Sequence, residues 1–238
     1  ASITDIVNDS MRADLLVRAT ATSGRLTPLP AEMTEQINAL DGVRETTGYA
    51  VASVTTTTPD GGESVGYMVA VDPQRYPDFY DPNVTAGSLD SLDDAHVAAF
   101  ADSGLQIGDQ VAVTGPAGSV TATVSAVADS KGLTGTLYAT PEVAAAVGSW
   151  TAPAPTDPQE VLSSPQGLFV SLADGADMGT VQSQIQEIVA PAYVFEVLDA
   201  DELSDQVGQM ADQMLAVLYA LLGLSLVIAV LGIVNTLV

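Results

Sequence analysis

Leu215 to Val238 reads LAVLYALLGLSLVIAVLGIVNTLV, and no charged residue occurs between Gln213 and the end of the chain. As a helix at about 1.5 Å per residue this run reaches roughly 36 Å, against a bilayer hydrocarbon core of about 30 Å. A buried core helix is the bland alternative, and the length and purity of the run favour a membrane segment over it. Its C-terminal position rules out a signal peptide. Ser225, Ala229, Gly232 and Thr236 recur at i, i+4, i+7 and i+11, so they share one face along which another helix can approach closely. The amide of Asn235 is costly in lipid unless a neighbouring helix satisfies it. A membrane helix made for a bundle is expected, with Ser225, Ala229, Gly232, Asn235 and Thr236 as its packing residues.

Immediately upstream, Asp199 and Glu202 stand at capping-box spacing in LDADEL, with Leu198 and Leu203 placed as a hydrophobic staple. Leu203, Val207, Met210, Met214 and Leu218 carry a helical stripe into the apolar run, and no Pro interrupts it. One helix from Ala200 to Val238 would be roughly 58 Å long, about half of it a stalk outside the bilayer. The chain opens on Ala1 and stops inside the run, so a fragment of a longer protein is expected. No basic cluster follows the run and the preceding part is poor in Lys and Arg, which places residues 1 to about 212 outside the cell membrane.

The remainder predicts an α+β fold. RADLLVRATA reads as a strand, followed by a helix that Pro28 or Pro30 opens, with Met33, Ile37 and Leu40 on one face and Gly42 closing it. A Thr-rich strand from Val43 to Thr58, the PDGGE turn and the strand SVGYMVAVD follow. A similar order returns late in the chain: GLFVSLAD as a strand, a helix with Met178, Val181, Ile185 and Ile188 on one face, and the strand in AYVFEVLD. Two split β-α-β units suggest a ferredoxin-like layer assembled from both chain ends. Between them, from about Tyr76 to Trp150, DPQRYPDFYDPN reads as a loop and LQIGDQVAVTGPAGSVTATVSAV as a hairpin on a Gly-Pro turn. Thr140-Pro141-Glu142 then opens a short helix ending at Gly148. The expected division is 1–75 for the first part of the core layer and 76–150 for an inserted β-rich lobe. Residues 151–198 hold the Pro-rich linker and the second part of the layer, and 199–238 the stalk and membrane helix.

Composition narrows the chemistry. Thirty acidic residues against five Arg and one Lys give a net charge of -24, which leaves no basic surface for nucleic acid. The absence of Cys excludes disulfide scaffolds and thiol catalysis. His96 is the only histidine; a ligand or base role would need partners from elsewhere in the chain. Asp72, Asp78 and Asp81, or Asp90, Asp93 and Asp94, match no calcium-loop spacing and read as turn formers beside Pro and Gly. Neither a Gly-x-Ser-x-Gly elbow nor a Walker loop is present. No catalytic, metal or cofactor site is expected.

From Tyr219 the tail YALLGLSLVIAVLGIVNTLV resembles the start of the second membrane helix in FtsX-type permeases of ABC transporters, the superfamily that includes MacB. RADLLV, LPAEMTEQINALDGV, the MVAVDP strand and turn, and GLQIGDQVAVTGPAG agree in order, and the chain is similar throughout to actinobacterial permeases with large acidic extracytoplasmic loops. The resemblance implies an extracytoplasmic domain between two membrane helices, coupled to substrate or partner handling outside the membrane. It also implies a separate cytoplasmic ABC ATPase subunit, the permease's other membrane helices and a second permease copy as partners, and no catalysis in this part. A membrane-anchored module binding an envelope component is the second reading, and a tethered hydrolase the third.

Overall fold

The computed structural model describes residues 10–20, 27–129, 137–148 and 157–237, without the side chains at 207, 210–212, 214, 226–227 and 230–237. The chain runs β1 (Leu15–Ala19), α1 (Ala31–Asn38), β2 (Val43–Thr57), β3 (Glu63–Val71), α2 (Tyr76–Phe79), β4 (Val84–Ala86), β5 (His96–Phe100), β6 (Gln110–Thr114), β7 (Ser119–Ala128) and β8 (Leu137–Ala139). It continues through α3 (Pro141–Val147), α4 (Pro158–Ser163), β9 (Gly167–Leu172), α5 (Met178–Val189), β10 (Phe195–Leu198) and α6 (Ala200–Leu237). The fold is mixed α+β around one large sheet.

At one end the sheet is ordered β10-β1-β9-β2, every neighbour antiparallel. Alternation sets its two faces. Leu15 and Val17 of β1, Leu168 and Val170 of β9, and Val197 of β10 point to the side covered by Ile37 of α1 and by Val181, Ile185 and Val189 of α5. Leu16 and Phe169 point to the other side, into a cluster with Met11, Tyr76, Phe79 and Tyr138. Burying these large side chains is the main stabilising contribution, about 25 cal/mol per Å² of apolar surface.

The segment 76–150 does not stand apart from this layer. β2 pairs with β9 through Val43–Tyr49 and with β3 through Tyr49–Thr57. Its last three residues, Thr55–Thr57, also pair with β6. From β3 the ladder passes to β8, β5, β7 and β6 and so back to β2, closing a six-stranded ring. Val54, Met68, Val97, Val111, Val113, Val124 and Leu137 form its core together with Val143 and Val147 of α3. The ring therefore borrows the second half of β2 and all of β3, which meets β8 through Met68–Ala70, because a barrel removes edges only when every strand finds two neighbours.

Where β2 leaves β9 and has not yet reached β6, Gln166 fills the gap. It is 6% exposed. Its N–H donates to the Tyr49 carbonyl at 2.9 Å and its side-chain carbonyl accepts from the Val51 N–H. A part-buried ladder amide is thereby satisfied.

Several local expectations change. DPQRYPDFYDPN is not plain loop: Asp72 accepts from the Gln74 N–H at 3.0 Å, the turn leads into α2, and Tyr76 and Phe79 are each 1% exposed. Pro30 stands at the N-cap of α1. The helix ends through Ala39, and Gly42 lies beyond it. A Cβ on Gly42 would run into Cγ2 of Val181, so glycine allows the close approach of α5 to the turn before β2. Thr140 precedes α3 without capping it by side chain; its hydroxyl donates to the Asp93 carbonyl at 3.3 Å. On α5 the buried face is Val181, Ile185 and Val189, while Met178 is exposed. Of the Pro-rich linker, residues 151–156 lie outside the described residues.

Candidate functional site

The residues that root α6 in the sheet form a polar cluster. The Glu202 N–H donates to Asp199 Oδ1 at 2.8 Å and the Asp199 N–H donates to Glu202 Oε2 at 3.1 Å, so the two side chains cap the helix start reciprocally. Asp201 adds a second carboxylate to the first turn, where the positive end of the helix dipole favours it. From α5, Gln182 Nε2 donates to the same Glu202 oxygen at 2.9 Å and to the Val197 carbonyl at 3.1 Å. One amide thus links α5, β10 and α6.

Two turns in, Gln206 closes a triangle. Arg18 Nε donates to Glu196 Oε1 at 3.1 Å, Arg18 Nη2 to Gln206 Oε1 at 2.8 Å, and Gln206 Nε2 to Glu196 Oε2 at 3.1 Å. Arg18 and Glu196 are direct cross-strand partners on β1 and β10, with side chains 26% and 20% exposed. Partial burial strengthens charge-assisted bonds relative to exposed pairs. Because Gln206 reaches back to Glu196, the first two turns of α6 lie over the sheet and do not simply extend β10. Leu203 packs beside the Tyr76 and Phe79 cluster, and Ser204 is buried.

Arg18, Glu196, Gln182 and Gln206 carry no motif, and sequence reading passed over them. The usable signal was Arg18 itself, one of few cations in an acidic chain, but its partner follows only from the β1–β10 register.

Beyond Gln206 the described residues show an open helix surface. A Cβ at Gly208 or Gly223 would meet nothing within 4 Å, and the described side chains from Leu215 to Ser225 are all exposed. Ser225 and Ala229 are exposed on it; the side-chain positions of Gly232, Asn235 and Thr236 lie outside the described residues. Among the described residues no helix is long and apolar enough to cross a membrane.

The other candidate groups are occupied in turns. His96 Nδ1 lies 2.7 Å from Asp93 Oδ1 on the surface. Asp93 also accepts from the Ala95 N–H at 2.8 Å, and these bonds hold its carboxyl below the usual carboxylate range. Asp81 accepts from the Asn83 N–H at 2.8 Å and pairs with Arg12 at 2.9 Å. Among the described residues, no group of three or more His, Cys, Asp or Glu could hold a metal ion.

Solved structures share this architecture. The periplasmic region of MacB from Actinobacillus actinomycetemcomitans superposes with a TM-score of 0.59 at 10% identity, over 87% of this chain and 97% of that one. The chain has the fold of the MacB periplasmic region. The extracellular domain of YknZ, a noncanonic ABC-type transporter of Gram-positive bacteria, gives 0.51 at 12% identity over 79% of this chain and 99% of that one. A domain of a putative permease from Porphyromonas gingivalis gives 0.50 at 11% identity, over 79% and 91%. No protein-family model matches the chain, and no curated protein matches it in sequence. The MacB-like fold accounts for the order of motifs from RADLLV to the long helix; at these identities it speaks for architecture alone.

Proposed function

We propose that this chain is the extracytoplasmic domain of an ABC-transporter permease subunit, and that α6 couples motion of membrane helices to the layer and barrel outside. The observation that carries this is the continuity of α6: one helix of 38 residues runs from a base pinned to the sheet into a stretch without charge. A rod fixed at one end transmits displacement, whereas a loop at the boundary would absorb it. The apolar run Leu215–Val238 would enter the cell membrane, packing through Ser225, Ala229, Gly232, Asn235 and Thr236 against other permease helices. A separate ATPase subunit would supply the energy. The strand order β10-β1-β9-β2, with α1 and α5 on one face, supports reading the end layer as ferredoxin-like.

The test is partner-stimulated ATPase activity of the reconstituted permease and ATPase. Gly232→Leu should lower it while leaving the thermal transition of the exterior domain unchanged, and His96→Ala should leave both unchanged. Normal activity of the glycine variant, or lost activity of a folded histidine variant, overturns the proposal.

A further inference from the structure

We infer that the first two turns of α6 are a releasable latch, docked on the sheet by the Arg18–Glu196–Gln206 triangle and able to lift off while the layer and barrel stay folded. The inference rests on reading α6 as the coupling element.

What holds the base down is largely polar and partly wet. The triangle is a quarter exposed, and the Asp199–Glu202–Gln182 links are exposed. Ala200 and Leu203 are only partly buried against the aromatic cluster. Water can replace the exposed bonds at little net cost, which leaves the part-buried triangle as the main polar restraint on the helix base.

One group opposes docking outright. Ser204 is 2% exposed, and its hydroxyl has no hydrogen-bond partner among the described residues. A buried hydroxyl left without a partner is a penalty that disappears as soon as the helix lifts and water reaches it. Unpaired buried groups in native folds call for an explanation, and a surface that must separate supplies one. Past Gln206 a Cβ at Gly208 would meet nothing within 4 Å, and the described side chains from Leu215 to Ser225 are exposed. The barrel core shows the opposite character: Val143 is 1% exposed among apolar neighbours and becomes accessible only when the barrel opens. The two regions should therefore open with different free energies, the low one at the helix base.

The chain contains no cysteine, so single-cysteine labelling reads each site cleanly. Full-length chains carrying Ser204→Cys or Val143→Cys are treated with a maleimide probe under native conditions. Position 204 should label at least about ten times faster than position 143, as expected for local against global opening. Adding Gln206→Ala, or Gln206→Glu, which sets a carboxylate against Glu196, should speed labelling at 204 several-fold further and leave 143 unchanged. Equal rates at the two positions, or a rate at 204 that ignores both Gln206 variants, overturns the latch. The readout involves no ATPase, so a failed latch is distinct from a failed coupling role: the first shows in labelling, the second only in the activity of Gly232→Leu.

Discussion

Leu16 stands directly opposite Leu198, which makes the strand that brings the chain into the sheet the immediate neighbour of the one that takes it out. Both side chains are buried, at 4% and 6% exposure. A buried pair that ties the first strand of the sheet to the last should contribute measurably to stability. Leu198→Ala is expected to lower unfolding free energy by about 2–5 kcal/mol in a denaturant titration, the usual range for a buried Leu truncated to Ala. A loss below about 0.5 kcal/mol, the size of an exposed substitution, would mean that the end strands are not joined this way.

At Gly42 the expected effect comes from shape. Gly42→Ala should cost about 1–3 kcal/mol by pressing a methyl on Val181, a stiff β-branched neighbour. Combining it with Val181→Ala should cost less than the two single changes added, and strict additivity in the double-mutant cycle would show that the two residues do not touch.

Alkaline pH offers a third test. Burial raises the phenol of Tyr76 well above its ordinary value, with the neighbouring tyrosines adding to the effect, and burial raises Tyr138 as well. A folded-state value above the unfolded one means that the stability tied to these phenols is complete below about pH 10 and is lost as pH rises beyond it. Ultraviolet titration should show their ionisation coinciding with unfolding by circular dichroism. Ionisation of all seven tyrosines with the fold intact would contradict the buried cluster.

Removal of residues 76–150 with a short Gly-Ser closure should abolish the cooperative thermal transition of the remainder. Val54 and Met68 would lose the core they share with Val97, Val113 and Leu137. A remainder that still melts cooperatively would show that the layer closes without the ring.

Much of this fold could be read from local signals. β2, β3, the β6–β7 hairpin and α5 carry their period, caps and turns in contiguous residues, and Asp199 and Glu202 are three apart, the spacing a reciprocal cap needs. What stayed hidden was pairing across distance. The return of β6 to β2 depends on Thr55 meeting Thr114, and no local pattern encodes that meeting. Tyr76 and Phe79 were hidden for another reason: flanking Pro and Asp residues signal a turn, and the four-residue helix that buries two rings is too short to show a period. The Arg18–Glu196–Gln206 triangle needed a register and a helix direction together.

The dual membership of β2 also sets where this protein can be cut and rejoined. A loop boundary such as the one after Val71 looks like the natural seam for transplanting the barrel, yet it would leave two of the donor's six staves, β2 and β3, behind. A chimera that exchanges one barrel for another has to change parent inside β2, near Ala50 where Gln166 bridges the ladder, and inside β3 at its cross-strand partner Ala70. Junctions placed in mid-strand would carry whole barrels between proteins of this fold, and junctions placed in the neighbouring loops would carry fragments.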